Sequence, residues 1–283
     1  MFPDEVDATR FSWQMALVRR YCAPLALSEG VRRLVDGTLP PRAVAITFDD
    51  GYADNASVAW PILSGLGVPA TFYIAPGFLD GGVMWNDVVI ESIRRASLAT
   101  LDSEWPQPAS AAVDAASRRA SLAEEIIRDI KHLPPAERLT RAEGVRRRAL
   151  ISPPTDLMMT RLEVRALSAA GAGIGAHTMT HPILRTLPDS EAVDEITGSR
   201  DALELITGQR IDSFAYPNGR RDADYTVRDR DLVASLGFDY AASTNWGVCA
   251  SSSDVFQLPR FTPWDRSPER WLARLLLAFR QIG

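Results

Sequence analysis

The chain has 283 residues, 46% hydrophobic and 24% charged, an ordinary globular balance with apolar material for a large core. Its 31 Lys and Arg against 36 Asp and Glu leave a net charge of −5 with no dominant basic run, which excludes nucleic acid as the expected partner. Two distant cysteines (Cys22, Cys249) make no disulfide framework, no apolar run is long enough to span a membrane, and the acidic start Met1-Phe2-Pro3-Asp4-Glu5 lacks a secretion signal's apolar stretch, so the expected location is cytoplasmic.

In chain order, Val44-Ala45-Ile46-Thr47-Phe48 is β-rich and stops at Asp49-Asp50-Gly51. The spacing then predicts a helix from about Asn55 to Leu66, closed by Gly67. Val68 to Ala75 predicts a second strand, ending at Pro76-Gly77. From about 86 to 150 the rhythm breaks into an Ala-, Arg- and Glu-rich stretch with helical periodicity, expected as a helical insertion within a single domain. Its densest basic run, Arg146-Arg147-Arg148, reads as a solvated helix face, and the simple composition of Ala109 to Ala120 is compatible with helix. Further strands are predicted at Gly173–Ala176, Ser213–Tyr216, Asp239–Ser243 and Val255–Leu258. Helices fall near 161–170, 189–207 and 226–236, with Gly171, Gly208 and Gly237 as their C-terminal caps. Repeated strand–helix units imply an α/β fold with a parallel sheet, and their number suggests a closed or nearly closed TIM-like barrel.

In such a barrel the loops leaving the C-terminal strand ends build the site. Asp49 and Asp50 end the first strand, and His177 and His181 follow the strand through Gly175. Asp-Asp-Gly alone reads as a common turn. His177-Thr178-Met179-Thr180-His181 is more specific, because the chain has only three histidines and two stand here. It is not the zincin motif, which needs Glu directly after the first His, where Thr178 stands. Asp50, His177 and His181 together supply the few N and O ligands of a hydrolytic metal site, whose bound water turns acidic enough to attack near neutral pH. Asp49, pointing differently from its neighbour, is the candidate to accept that water's proton.

Thr47-Phe48-Asp49-Asp50-Gly51-Tyr52 and His177-Thr178-Met179-Thr180-His181-Pro182 resemble the first two motifs of the polysaccharide deacetylases, carbohydrate esterase family four. Phe214-Ala215-Tyr216-Pro217-Asn218-Gly219 resembles the third motif in the form of one bacterial branch, and Leu258-Pro259-Arg260 a late signature of that branch. The resemblance runs from about Phe11 to Arg260. It implies a distorted (β/α)₇ barrel and a metal-dependent hydrolase that removes N-acetyl groups from a glycan. It further implies that Asp49 is the general base and that Asp50, His177 and His181 hold a divalent metal, commonly zinc, with cobalt, manganese or nickel suiting the same ligands. The backbone N–H of Asn218 would stabilise the oxyanion. Tyr216 and Trp246 are candidates for lining the sugar site, Trp246 serving equally as core packing.

Two departures stand out. Many members carry in the third motif an Arg that pairs with the base, where this chain has Ala215; Arg260 either takes over that pairing or is an ordinary surface arginine. Most members also protonate the leaving amine with a late histidine, and none follows His181. His132 reads as a surface or capping residue. In this branch an acid histidine can come from a Tyr-His strand ahead of the Asp pair, upstream of where this sequence starts. The resemblance therefore leaves three expectations open: an active deacetylase, a non-catalytic sugar-binding member, and a hydrolase of a non-sugar amide or imide.

Overall fold

A computed structural model of the chain describes residues 6–106, 114–152, 154–262 and 265–279. The acidic opening Met1–Glu5 and positions 109–113 of the Ala-rich run lie outside these residues. In chain order the helices are α1 (Ala8–Tyr21), α2 (Leu27–Val35), α3 (Trp60–Leu66), α4 (Trp85–Arg95), α5 (Leu98–Glu104), α6 (Ala115–Ile130), α7 (Pro135–Ala149), α8 (Arg161–Ala169), α9 (Asp189–Thr207), α10 (Val227–Ser235) and α11 (Pro268–Ala278). The strands are β1 (Ala23–Pro24), β2 (Ala43–Val44), β3 (Ile46–Phe48), β4 (Ala70–Ile74), β5 (Gly173–Ala176), β6 (Ser213–Ala215), β7 (Tyr240–Trp246) and β8 (Leu258–Arg260). They pack as two compact units, one of Gly81–Leu157 and one of Asp7–Asp80 with Met158 onward.

In the larger unit β3 to β8 form one sheet in sequence order, every neighbouring pair parallel. β1 and β2 pair separately. Parallel neighbours need a crossover, and α3, α9 and α10 supply it for β3–β4, β5–β6 and β6–β7. All five residues of β4 are buried, as expected of a strand covered on both faces. Side chains alternate accordingly. Phe72, Ile174, Phe214 and Ala241 join the main core with helix residues such as Val18, Leu63, Val164, Leu203 and Leu275. Tyr73, Ala215 and Ala242 gather in a second cluster on the opposite face. There Gly175 has a specific reason to lack a side chain, because a Cβ would overlap the Tyr73 ring.

The sheet is rolled until its edge strands meet side chain to side chain: Arg260, ending β8, reaches Thr47 in β3 and Asp49 just beyond it. The architecture is the distorted (β/α)₇ barrel that the sequence implied. Three elements differ from expectation. The β-rich run Val44–Phe48 divides at Ala45 into β2 and β3, which belong to different sheets. The stretch from Asn55 is a wide turn to Ala59, where Trp60 N–H donates to the Asn55 carbonyl, followed by α3. Pro61, with no N–H to give, cannot join an ordinary helical ladder back to residue 57. Val255–Gln257 is a tight turn capped by Asp254, and the strand follows it at Leu258–Arg260. Pro259 is tolerated because β8 is an edge strand.

The smaller unit holds α4 to α7 around Trp85, Val89, Ile93, Leu101, Ala123, Ile130, Ala142 and Val145. Arg138 is buried there, its guanidinium 5.0 Å from the Trp85 ring centre and donating to the Lys131 carbonyl. His132 is exposed in the turn between α6 and α7. Among the described residues, no helix is long and apolar enough to cross a membrane.

Candidate metal centre and active site

Phe48 stacks on Phe72 with ring centres 4.9 Å apart on the outer face, so alternation turns Thr47 and Asp49 inward together. Arg260 grips the Asp49 carboxylate with a fork, Nη1 donating to Oδ1 at 2.7 Å and Nη2 to Oδ2 at 2.7 Å. The guanidinium is fixed in turn by the Ser243 carbonyl, which accepts from Nε at 2.7 Å, and by Thr47 Oγ1 at 3.3 Å. Asp49 is 26% exposed and Arg260 17%. Burial pushes the Asp49 carboxyl up, but Arg260 and His177 outweigh it and hold the group below the usual carboxylate range.

His177 follows β5 and is buried. Its Nδ1 lies 2.7 Å from the Ala215 carbonyl, an atom that only accepts, so Nδ1 carries the hydrogen and the Nε2 lone pair faces the site. His177 Nε2 and His181 Nε2 each lie 3.3 Å from one atom, Asp50 Oδ1. The three ligand atoms all lie within 4.8 Å of one another. Asp50 Oδ1 is buried with no hydrogen-bond partner, an expensive state for a carboxylate oxygen that a cation would relieve. One carboxylate and two imidazoles, with the Asp50 side chain 24% exposed, fit a hydrolytic divalent metal. Burial pushes Asp50 up and His177 down, yet their contact and the neighbouring charges prevail: Asp50 lies below its ordinary value and His177 above it. A proton would therefore compete with any cation for His177.

Eight non-glycine residues among those described adopt a left-handed backbone, and four of them lie in these loops: Asp50 (φ 75°), Thr178 (60°), His181 (53°) and Asn218 (58°). Such conformations are costly and persist where surrounding contacts impose them, here where the candidate ligands converge. Asn218 lies three residues beyond the carbonyl that holds His177, and its own carbonyl accepts from Thr244 Oγ1 at 2.6 Å.

Trp246, ending β7 opposite Arg260 in β8, is 52% exposed and tilted against Phe261, so it is not a core residue. Tyr216 requires a correction. It is fully buried, stacked on Tyr225 at 3.9 Å, and its hydroxyl donates to the Phe256 carbonyl at 2.9 Å. A ring so enclosed packs the core and has no face to offer a sugar. Sequence reasoning also missed Thr47, Ser243 and the Ala215 carbonyl. Thr47 was within reach of the period-2 rule, two residues before Asp49, whereas the other two act through backbone oxygens that residue identity does not reveal.

The polysaccharide deacetylase family model matches residues 36–96 and 147–241, more than half of the chain. The chain belongs to the polysaccharide deacetylase family. Comparison with curated protein sequences finds no match. Among solved structures, the chain is similar to the Streptococcus pyogenes deacetylase PplD in complex with acetate, with TM-score 0.63 and 20% identity over 99% of this chain and 92% of that one. It is also similar to IcaB from Ammonifex degensii, with TM-score 0.60 and 16% identity over 97% and 90% of the two chains. The BpsB deacetylase domain from Bordetella bronchiseptica aligns with TM-score 0.55 and 18% identity over 92% and 88%.

Proposed function

We propose that the chain is a metal-dependent hydrolase that removes N-acetyl groups from a glycan by cleaving a carbon–nitrogen bond outside a peptide. The observation that carries this reading is an arginine-locked carboxylate, Asp49, adjoining a convergent three-donor set, Asp50, His177 and His181. A protein that only binds sugar has no use for a base beside the ligands.

Asp50, His177 and His181 would hold a divalent cation, zinc by preference, with cobalt, manganese and nickel suiting the same donors. Once bound, such a cation supplies Lewis acidity toward the acetamide carbonyl and lowers the pKa of a neighbouring water. Asp49 is the general base that takes the attacking water's proton, and Arg260 keeps its carboxyl ionised and aimed. The Asn218 N–H is the donor for the developing oxyanion. Trp246 offers an apolar face to a sugar ring. The acetate in the PplD structure supports an acetyl group as the one released.

Acetate release from N-acetylglucosamine oligomers with added Zn²⁺ or Co²⁺ tests the reading. Asp49→Asn is expected to abolish turnover while leaving metal content intact, and a variant working at the normal rate refutes the base assignment. Oligomers that bind without releasing acetate would make the chain a sugar-binding member instead.

A further inference from the structure

The segment from His177 to His181 is held from both sides by groups that touch no ligand atom. The His177 N–H donates to the Ile74 carbonyl at 3.1 Å, and the His181 N–H to Thr178 Oγ1 at 3.1 Å. Between them, α9 supplies most of the grip. The Glu195 carbonyl accepts from the Met179 N–H at 3.0 Å. The Glu195 carboxylate accepts twice from Thr180, from its N–H at 2.8 Å and from its hydroxyl at 2.5 Å. On the other side the Gly77 N–H donates to the Met179 carbonyl at 3.0 Å, and a Cβ at Gly77 would lie 2.5 Å from that oxygen.

We propose that Glu195 is a positioning residue that sets His181 against Asp50 and thereby the affinity of the site for a divalent cation. The inference rests on the metal-site reading above. Its physical basis is the backbone. Thr178 and His181 both stand in the left-handed region, which a five-residue loop leaves unless something holds it. Thr180 is the residue directly before His181, and Glu195 is the only side chain on α9 that bonds to it among the described residues. Charge is not what the arrangement needs, because both contacts are acceptor contacts on one side-chain end. A glutamine can accept the Thr180 N–H with its oxygen and donate to the Thr180 hydroxyl with its amide.

The test is direct titration of the metal-free protein with Co²⁺, read by calorimetry and by the cobalt d–d absorption, with thermal unfolding measured in parallel. Loss of a group that orients a metal ligand weakens affinity by about 10- to 100-fold. Glu195→Ala is expected to fall at the lower end of that range with an altered d–d spectrum, and Glu195→Gln to return close to the wild type. Thr180→Val, which removes one of the two contacts, is expected to lie between, and it carries the test if Glu195→Ala does not fold. If the wild type takes up Co²⁺ and both Glu195→Ala and Thr180→Val bind it equally tightly with the same spectrum, the role of Glu195 is overturned while the metal site stands. If the wild type itself takes up no Co²⁺, the metal site is overturned and the inference with it.

Discussion

Arg260→Met isolates the tie between Asp49 and the last strand. The substitution keeps the aliphatic stem but removes both fork bonds of 2.7 Å, the bond to the Ser243 carbonyl and the contact with Thr47. Breaking one side of a fully buried ion pair costs about 3–5 kcal/mol, mostly because the surviving charge is left unpaired. Asp49 keeps 26% exposure, so water recovers part of that penalty and about 2–3 kcal/mol is expected. Asp49→Asn removes the stranded charge. Added to Arg260→Met it should therefore cost less than the two single changes summed, with a coupling of about 1–2 kcal/mol in a double-mutant cycle. The measurement is urea unfolding of the metal-free wild type, both single variants and the double variant at pH 7. Strict additivity would refute the claim that this pair acts as an energetic unit, whatever its geometry.

Three further outcomes follow from the packing. Gly175→Ala drives a methyl into the Tyr73 ring and should destabilise the fold by about 1–3 kcal/mol, as overpacked cores do, and a Tyr73→Val background should relieve most of that loss in the same unfolding assay. Asp254 is pushed up by burial but pulled down to about 2 by the Arg230 fork, Gln257 and the Phe256 N–H. Its folded pKa lies below the unfolded value of about 3.9, so its stabilisation is complete above about pH 4 and is lost as pH falls through about 2. Asp254→Asn should flatten the decline of urea midpoints between pH 4 and pH 2; an unchanged slope removes Asp254 from the account. Tyr216→Phe deletes one buried hydrogen bond and should cost about 1 kcal/mol with no change in KM for the glycan. A raised KM at full stability would return Tyr216 to the sugar site.

The parts of the fold visible in sequence were those with strong local rules. α9 was delimited by its apolar period and Gly208, and its observed span agrees with the reading at both ends. β4 announced itself through an apolar run that only a strand covered on both faces tolerates. The helices α1, α2 and α11 carried no marker that chemistry required, and they entered only with the structure. At the site, the convergence of Asp50 with His177 and His181 was legible because those residue types have few other uses together. Tyr216 misled because its position in a motif says nothing about which way its ring points. The tertiary stack on Tyr225 decides that. Glu195 was invisible for a related reason: on an amphipathic helix one more glutamate is the commonest solvent-facing residue, and only the approach of Thr180 gives it a task.

The meeting of β3 and β8 through Asp49 and Arg260 also bears on how the molecule fails. No ladder of backbone bonds joins these two edges among the described residues, so the seam is only as durable as a few side chains. Fraying of the last strand would cast the proposed base loose while the interior strands remain zipped. Warming the protein should then extinguish turnover some degrees before its helical signal begins to decay.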